Sequence, residues 1–155
     1  MIIDIKDLRL KGKTEQDFEF LHTPPVTALD IPDSSFTGDA KVKCLVDIYK
    51  DEVFISGTVS FSITAPCSRC LEPAKMDKVI EFDERFLPSS RALEAEDDKL
   101  VYQRERIDLS QFIDELILTD MPLALLCKDD CLGLCPECGC NLNVSNCGHD
   151  GQNND

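Results

Sequence analysis

Histidine is nearly missing from this sequence, with two in 155 residues. A catalytic zinc keeps an open position and usually takes histidine or carboxylate ligands, so the scarcity weighs against one. Positive charge is short as well: 16 Lys and Arg stand against 30 Asp and Glu, for a net charge of -14 and a pI near 4.4. That is the wrong sign for a protein that grips bare nucleic acid through many phosphate contacts. An acidic chain draws in basic partners over a range set by salt, and it also stays soluble. No apolar run approaches the length that spans a bilayer; Leu123 to Cys127 is a short one. The start, Met1 to Lys13, alternates apolar and charged residues and has no apolar signal core. The expected compartment is therefore the reducing cytoplasm, with no membrane. No P-loop, dinucleotide fingerprint or nucleophile elbow is present, and the expectation is that the chain is not an enzyme.

Cysteine is what the sequence has in excess, with nine residues. An odd number argues against a closed disulfide framework, and in a reducing compartment clustered cysteines read as metal ligands. A hydrophobic content of 43% is enough for a real core. The length suits one domain with an attached element.

Ile2, Ile3 and Ile5 predict an opening strand, and Thr14 to Leu21 is either strand or short helix. Thr23, Pro24 and Pro25 then break the chain, and residues 27 to 35 read as a loop. Two long period-two stretches follow, Val42 to Ile48 and Val53 to Ala65. They predict half-buried strands joined in a hairpin at Lys50, Asp51 and Glu52. Pro66 stops the second strand, Cys67-Ser68-Arg69-Cys70 follows at once, and a third strand runs from Met76 to Phe86. The first Cys-x-x-Cys thus falls in a turn between antiparallel strands. Leu87 to Asp98, with Glu94, Glu96, Asp97 and Asp98, reads as a solvated acidic loop, and Lys99 to Ile107 as a short strand. Asp108 to Thr119 is the clearest helix. Leu109, Phe112, Ile113, Leu116 and Ile117 form one apolar stripe that predicts packing on the sheet, and Asp108 with Gln111 resembles a capping box. Pro122 ends it.

From Cys127 onward Gly, Asn and Cys dominate, and such a tail cannot bury enough surface to fold alone. A crosslink is needed, and thiolates can supply it through a metal. Cys135-Pro136-Glu137-Cys138-Gly139 is the strongest local signal, because the turn aims two sulfurs at one ion and the glycine permits the backbone to close. Closed zinc sites take four ligands. Cys67, Cys70, Cys127, Cys131, Cys135, Cys138, Cys147 and His149 are eight candidates, enough for two structural Zn2+ ions. The favoured division joins Cys135 and Cys138 to Cys147 and His149, leaving Cys67, Cys70, Cys127 and Cys131 to tie the strand turn to the segment after the helix. Two others remain open: Cys127, Cys131, Cys135 and Cys138 together, or the two Cys-x-x-Cys pairs together. Cys140 can replace Cys147 or His149. Cys44 lies on an apolar strand face and reads as core, and His22 has no partner pattern. A Cys67–Cys70 redox pair is disfavoured because the usual setting is a helix start.

The run Cys67-Ser68-Arg69-Cys70-Leu71-Glu72-Pro73, then Ile107-Asp108-Leu109, Ile113-Asp114-Glu115-Leu116-Ile117-Leu118 and Pro122-Leu123, and finally Cys127 to Gly139 with Asn141-Leu142-Asn143, resembles the YceD family. These are the large ribosomal RNA subunit accumulation proteins of bacteria and plastids. The resemblance spans roughly residues 35 to 149. It implies a non-enzymatic role in accumulation of large-subunit ribosomal RNA, with a large-subunit ribosomal protein or a pre-ribosomal particle as partner. Cys-rich relatives tend to end with Cys-x-Cys where this chain has Cys147-Gly148-His149, and some relatives lack most of the cysteines. The expected architecture is α+β: a bent antiparallel sheet with one packed helix over residues 1–126, a zinc-stapled Cys-rich element over 127–149, and a disordered tail over 150–155. The acidic charge suggests that the chain binds a basic ribosomal protein. The alternatives are direct RNA binding by the zinc tail, which offers Lys128 as its only lysine or arginine and has no aromatic for stacking, and a zinc/thiol redox sensor.

Overall fold

The period-two stretches from Val42 onward become the spine of a sheet in the computed structural model, which describes residues 1–25, 29, 31–95, 97 and 100–149. β1 (Ile2–Asp4) is followed by α1 (Ile5–Leu10), β2 (Glu15–His22), β3 (Ser35–Phe36), β4 (Ala40–Tyr49), β5 (Glu52–Pro66) and β6 (Pro73–Pro88). A 3-10 turn (Ser89–Glu94), β7 (Val101–Tyr102), β8 (Arg106–Asp108) and α2 (Ser110–Thr119) complete the order. The main sheet runs β2-β4-β5-β6-β7, with β3 extending the β4 edge along β5. β1 and β8 form a separate two-stranded pair, Ile3 opposite Ile107.

The β4–β5 hairpin is the expected one, with Tyr49 opposite Glu52 across the turn. β5 and β6 are the longest strands, at 15 and 16 residues, and pair antiparallel from Val53–Phe86 to Pro66–Pro73. Gly57 is required where β5 meets β4, because a Cβ there would lie 2.2 Å from the Lys43 carbonyl oxygen. Alternation puts Val42, Cys44, Val46, Ile55, Val59 and Ile63 on one buried face. On the other face, β2 and β6 present exposed acids: Glu15, Asp17 and Glu19 on β2, and Asp77, Glu81 and Asp83 on β6.

α2 covers the buried face. Leu109 just before it, Ile113 and Ile117 are fully buried, each removing about 2 kcal/mol worth of apolar surface from water. The Phe112 ring stands edge-on to Phe82 at 5.5 Å and to Phe86 at 6.0 Å, which fixes the helix over β6. Lys78 pairs with Asp120 at 2.8 Å at the far end. No helix among the described residues is long and apolar enough to cross a membrane.

Several details depart from the sequence expectations. The opening strand ends at Asp4, and Ile5 begins a second packed helix, α1, with Ile5 and Leu8 buried; Asp4 caps it by accepting from the Asp7 N–H at 3.0 Å. A single packed helix is therefore corrected to two. The sheet is not wholly antiparallel either: β7 joins β6 in parallel at Leu87–Val101. The α2 N-cap is Leu109, which makes no side-chain cap hydrogen bond, rather than the Asp108 of an Asp108–Gln111 box; Asp108, one residue earlier, accepts from the Ser110 N–H at 2.9 Å. That hydrogen bond holds the Asp108 carboxyl below its usual range. The acidic segment after Leu87 is partly structured: Arg91 gathers Glu94 at 2.7 Å and Glu52 at 2.9 Å. Glu96, Asp98, Lys99 and the tail expected at 150–155 lie outside the described residues.

Candidate metal centre

Pro66 and Pro73 face each other at the end of the β5–β6 hairpin, so the six residues between them must make a turn. Leu71 takes a left-handed φ of 63° and donates its N–H to the Cys67 carbonyl at 2.9 Å; Cys67 N–H reaches the Glu72 carbonyl at 2.7 Å. Cys67 and Cys70 are thereby turned to one side, and both are buried. The segment after α2 docks on this turn. Ser68 N–H donates to Leu125 O at 2.9 Å, Leu134 N–H to Arg69 O at 3.2 Å, and the Arg69 guanidinium to Cys131 O at 3.0 Å. A second apolar cluster seals the join, with Ala65, Ala74 and Leu125 packed around Cys67, Cys70 and Cys131.

The docking completes a first group of four donors, Cys67, Cys70, Cys127 and Cys131, whose sulfurs all lie within 4.8 Å of one another. Cys67 and Cys131 are 3.7 Å apart, and Cys70 and Cys127 3.5 Å. A tetrahedral zinc with sulfurs at about 2.3 Å spaces them by about 3.8 Å, whereas a disulfide needs about 2.05 Å. All nine cysteines are free thiols. Burial opposes ionisation of Cys67, but the backbone N–H groups of Arg69, Cys127 and Cys70 bring its thiol down to about 6. Cys127 is pushed up to about 12, first by its hydrogen bond to the Cys70 sulfur and then by burial. Four thiolates at this spacing repel, and a divalent cation relieves that repulsion.

The second group is Cys135, Cys138, Cys147 and His149, again with ligand atoms within 4.8 Å. Its turn repeats the first: Gly139 has a φ of 72° and donates to the Cys135 carbonyl at 2.8 Å. Cys135 is buried, and Cys138 and His149 are exposed. His149 is raised to about 9 by the neighbouring Cys147 and Cys138 sulfurs. Cys140 is half-buried beside the group but is not one of its four donors; the Cys147 sulfur, burial and the Cys138 sulfur push its thiol up to about 12. Both donor sets suit a closed, four-coordinate metal with thiolate and imidazole ligands, and both groups can hold a metal ion.

Cys44 is remote from both groups. It is buried in the sheet, and burial followed by the Asp17 charge raises its thiol to about 11. His22, which offered no pattern in the sequence, is 2.5 Å from Asp114 and joins β2 to α2. Asn143 was equally silent: its side chain donates to the Cys131 sulfur at 3.4 Å. Only its place in the Asn141-Leu142-Asn143 run pointed to it.

Comparison with known proteins adds a family and relatives. A family profile described as "Large ribosomal RNA subunit accumulation protein YceD" matches residues 55–155. An uncharacterized protein of Mycobacterium tuberculosis is 29% identical over 153 residues, covering 96% of this chain and 73% of the relative. The uncharacterized Bacillus subtilis protein YlbN is 26% identical over 124 residues, covering 79% of this chain and 72% of that protein. No solved structure matches.

Proposed function

We infer the role of this chain from the family it belongs to, the YceD family of large ribosomal RNA subunit accumulation proteins. It is a non-enzymatic factor that supports accumulation of the large-subunit ribosomal RNA, and it acts in the cytoplasm by holding a basic large-subunit ribosomal protein or a pre-ribosomal particle. Residues 127–149 are its metal-binding element, with a structural zinc in each cysteine group: Cys67, Cys70, Cys127 and Cys131 in one, and Cys135, Cys138, Cys147 and His149 in the other.

The observation that carries the choice of partner is the distribution of charge. The net charge is -14, and the solvent face of the sheet carries exposed acids on two strands, Glu15 and Asp17 on β2 and Glu81 and Asp83 on β6. Many of the basic side chains are already engaged: Lys41 with Glu19 at 2.8 Å, Lys75 with Asp77 at 2.9 Å, Arg9 with Glu105 at 2.6 Å and Arg106 with Asp4 at 3.4 Å. Cations paired in this way offer little to a phosphate backbone, which favours a basic protein over bare RNA. Ribosomal proteins are generally basic, and an acidic surface neutralises such a protein until RNA replaces it.

Affinity capture of the tagged chain at low and high salt tests the reading, with both the bound RNA and the bound proteins identified. Large-subunit ribosomal proteins that elute as salt rises support it. Capture with no ribosomal component, or capture of RNA that survives protein removal, overturns it.

A further inference from the structure

A short run of hydrogen bonds joins the two cysteine groups. The Asn143 side-chain amide donates to the Cys131 sulfur of the first group at 3.4 Å, and its oxygen accepts from the Leu132 N–H at 3.0 Å. The same amide donates to the Asn141 side-chain oxygen at 2.8 Å, and that oxygen also accepts from the Asn143 backbone N–H at 3.0 Å. Asn141 in turn is held by the turn of the second group. It bridges Leu134, the residue before Cys135, and the Cys135 N–H donates to Cys140 O at 2.8 Å. Leu142 N–H closes the fold on Gly133 O at 3.0 Å. The segment leaving the second turn thus lies back over the loop that presents Cys131.

We propose that Asn143 is a positioning residue that makes the two metal sites load together: metal in the second group orders Asn141 and Asn143, and Asn143 then supports the Cys131 thiolate of the first. The proposal rests on the zinc reading above. A site of four thiolates carries about two negative charges and gains from N–H donors aimed at its sulfurs. With the second group empty, the 135–149 segment has little apolar material to hold it, and placing the amide costs chain entropy. With that group filled, the cost is already met, so the first metal binds more tightly. Linkage makes the effect reciprocal.

The test is a zinc titration of the metal-free full chain followed by native mass spectrometry, with cadmium-113 resonances separating the four-sulfur site from the three-sulfur, one-nitrogen site. Chains with no metal and with two metals are expected to dominate, and the one-metal chain to be scarce. Asn143→Asp keeps the acceptor for the Leu132 N–H and removes the donor to Cys131. It should weaken the first site about tenfold or more and let a one-metal chain accumulate, filled at the second site. Cys138→Ser, which disables the second site, should weaken the first as well. Two metals that load at statistical proportions, or loading of Asn143→Asp identical to the parent, would overturn the coupling and leave the zinc reading intact. A chain that takes up no metal would overturn both.

Discussion

Leu71 holds in the first Cys-x-x-Cys turn the place that Gly139 holds in the second. Each follows the second cysteine, each has a left-handed backbone, φ 63° and 72°, and each donates its N–H to the first cysteine's carbonyl, at 2.9 and 2.8 Å. An L-residue pays about 1–2 kcal/mol for that conformation, and Leu71 is exposed, so packing does not offset it. Leu71→Gly should stabilise the metal-loaded chain by about 0.5–1 kcal/mol, the strain relief less the added freedom of the unfolded chain. Gly139→Leu should do the reverse. Denaturant unfolding with zinc held constant checks both.

Metal content gives the next expectation. Elemental analysis of the purified chain should find two zinc equivalents, and Cys140→Ser and Cys44→Ala should keep both, since neither residue is among the eight donors. A strong chelator should strip hydrogen-exchange protection from 127–149 while β4, β5 and β6 keep theirs, because the strands rest on a core that does not need the metal. A chelated chain with unchanged protection throughout would remove the structural role assigned to the ion.

Thiol reactivity separates Cys44 from the rest. Burial raises its thiol to about 11, so at pH 8 only about one chain in a thousand carries the thiolate there. Alkylation of the native chain at that pH should leave Cys44 unlabelled, and unfolding should make it label at the ordinary rate. Peptide mass spectrometry reads the difference.

Docking of α2 rests on few side chains. Phe112→Ala removes both edge-on ring contacts, to Phe82 and Phe86, and should cost about 3–5 kcal/mol. Ile117→Ala, at a fully buried position, should cost about 2–5 kcal/mol. Thermal or denaturant melts measure both.

For the partner, neutralising Asp17, Glu81 and Asp83 together should weaken capture of ribosomal proteins at low salt, with little change in stability, since all three are exposed. The parent and the variant should converge at high salt, where screening removes the difference. Equal capture at low salt would place the contact elsewhere.

Much of this architecture is legible in the sequence because period-two burial writes itself into residue order. β4, β5, β6, the hairpin at Lys50 and the turn at Cys67 all follow from it. The α2 stripe is equally plain, with Phe112, Ile113, Leu116 and Ile117 on one face within ten residues. α1 is not: six residues make less than two turns, and Ile5 and Leu8 among charged neighbours look as much like alternation as like a helix face. Contacts between distant segments are hidden for a different reason. Nothing near His22 announces Asp114, 92 residues on. Spacing names the eight donors of the cysteine groups, yet it leaves their division open, because Cys127 reaches Cys70 only once α2 has packed on β6.

The first cysteine group also sets a timetable. Cys67 and Cys131 are 64 residues apart, and a ribosome that adds about 5–20 residues per second leaves a gap of about 3–13 s between them. Through that interval the β5–β6 hairpin carries half a site, two thiols without their partners. A metal ion could be locked in there only once Cys127 and Cys131 have been added. A chain cut short before Cys127 would keep its strands but never acquire the seal, so retention of metal in this group would report that synthesis had passed Cys131.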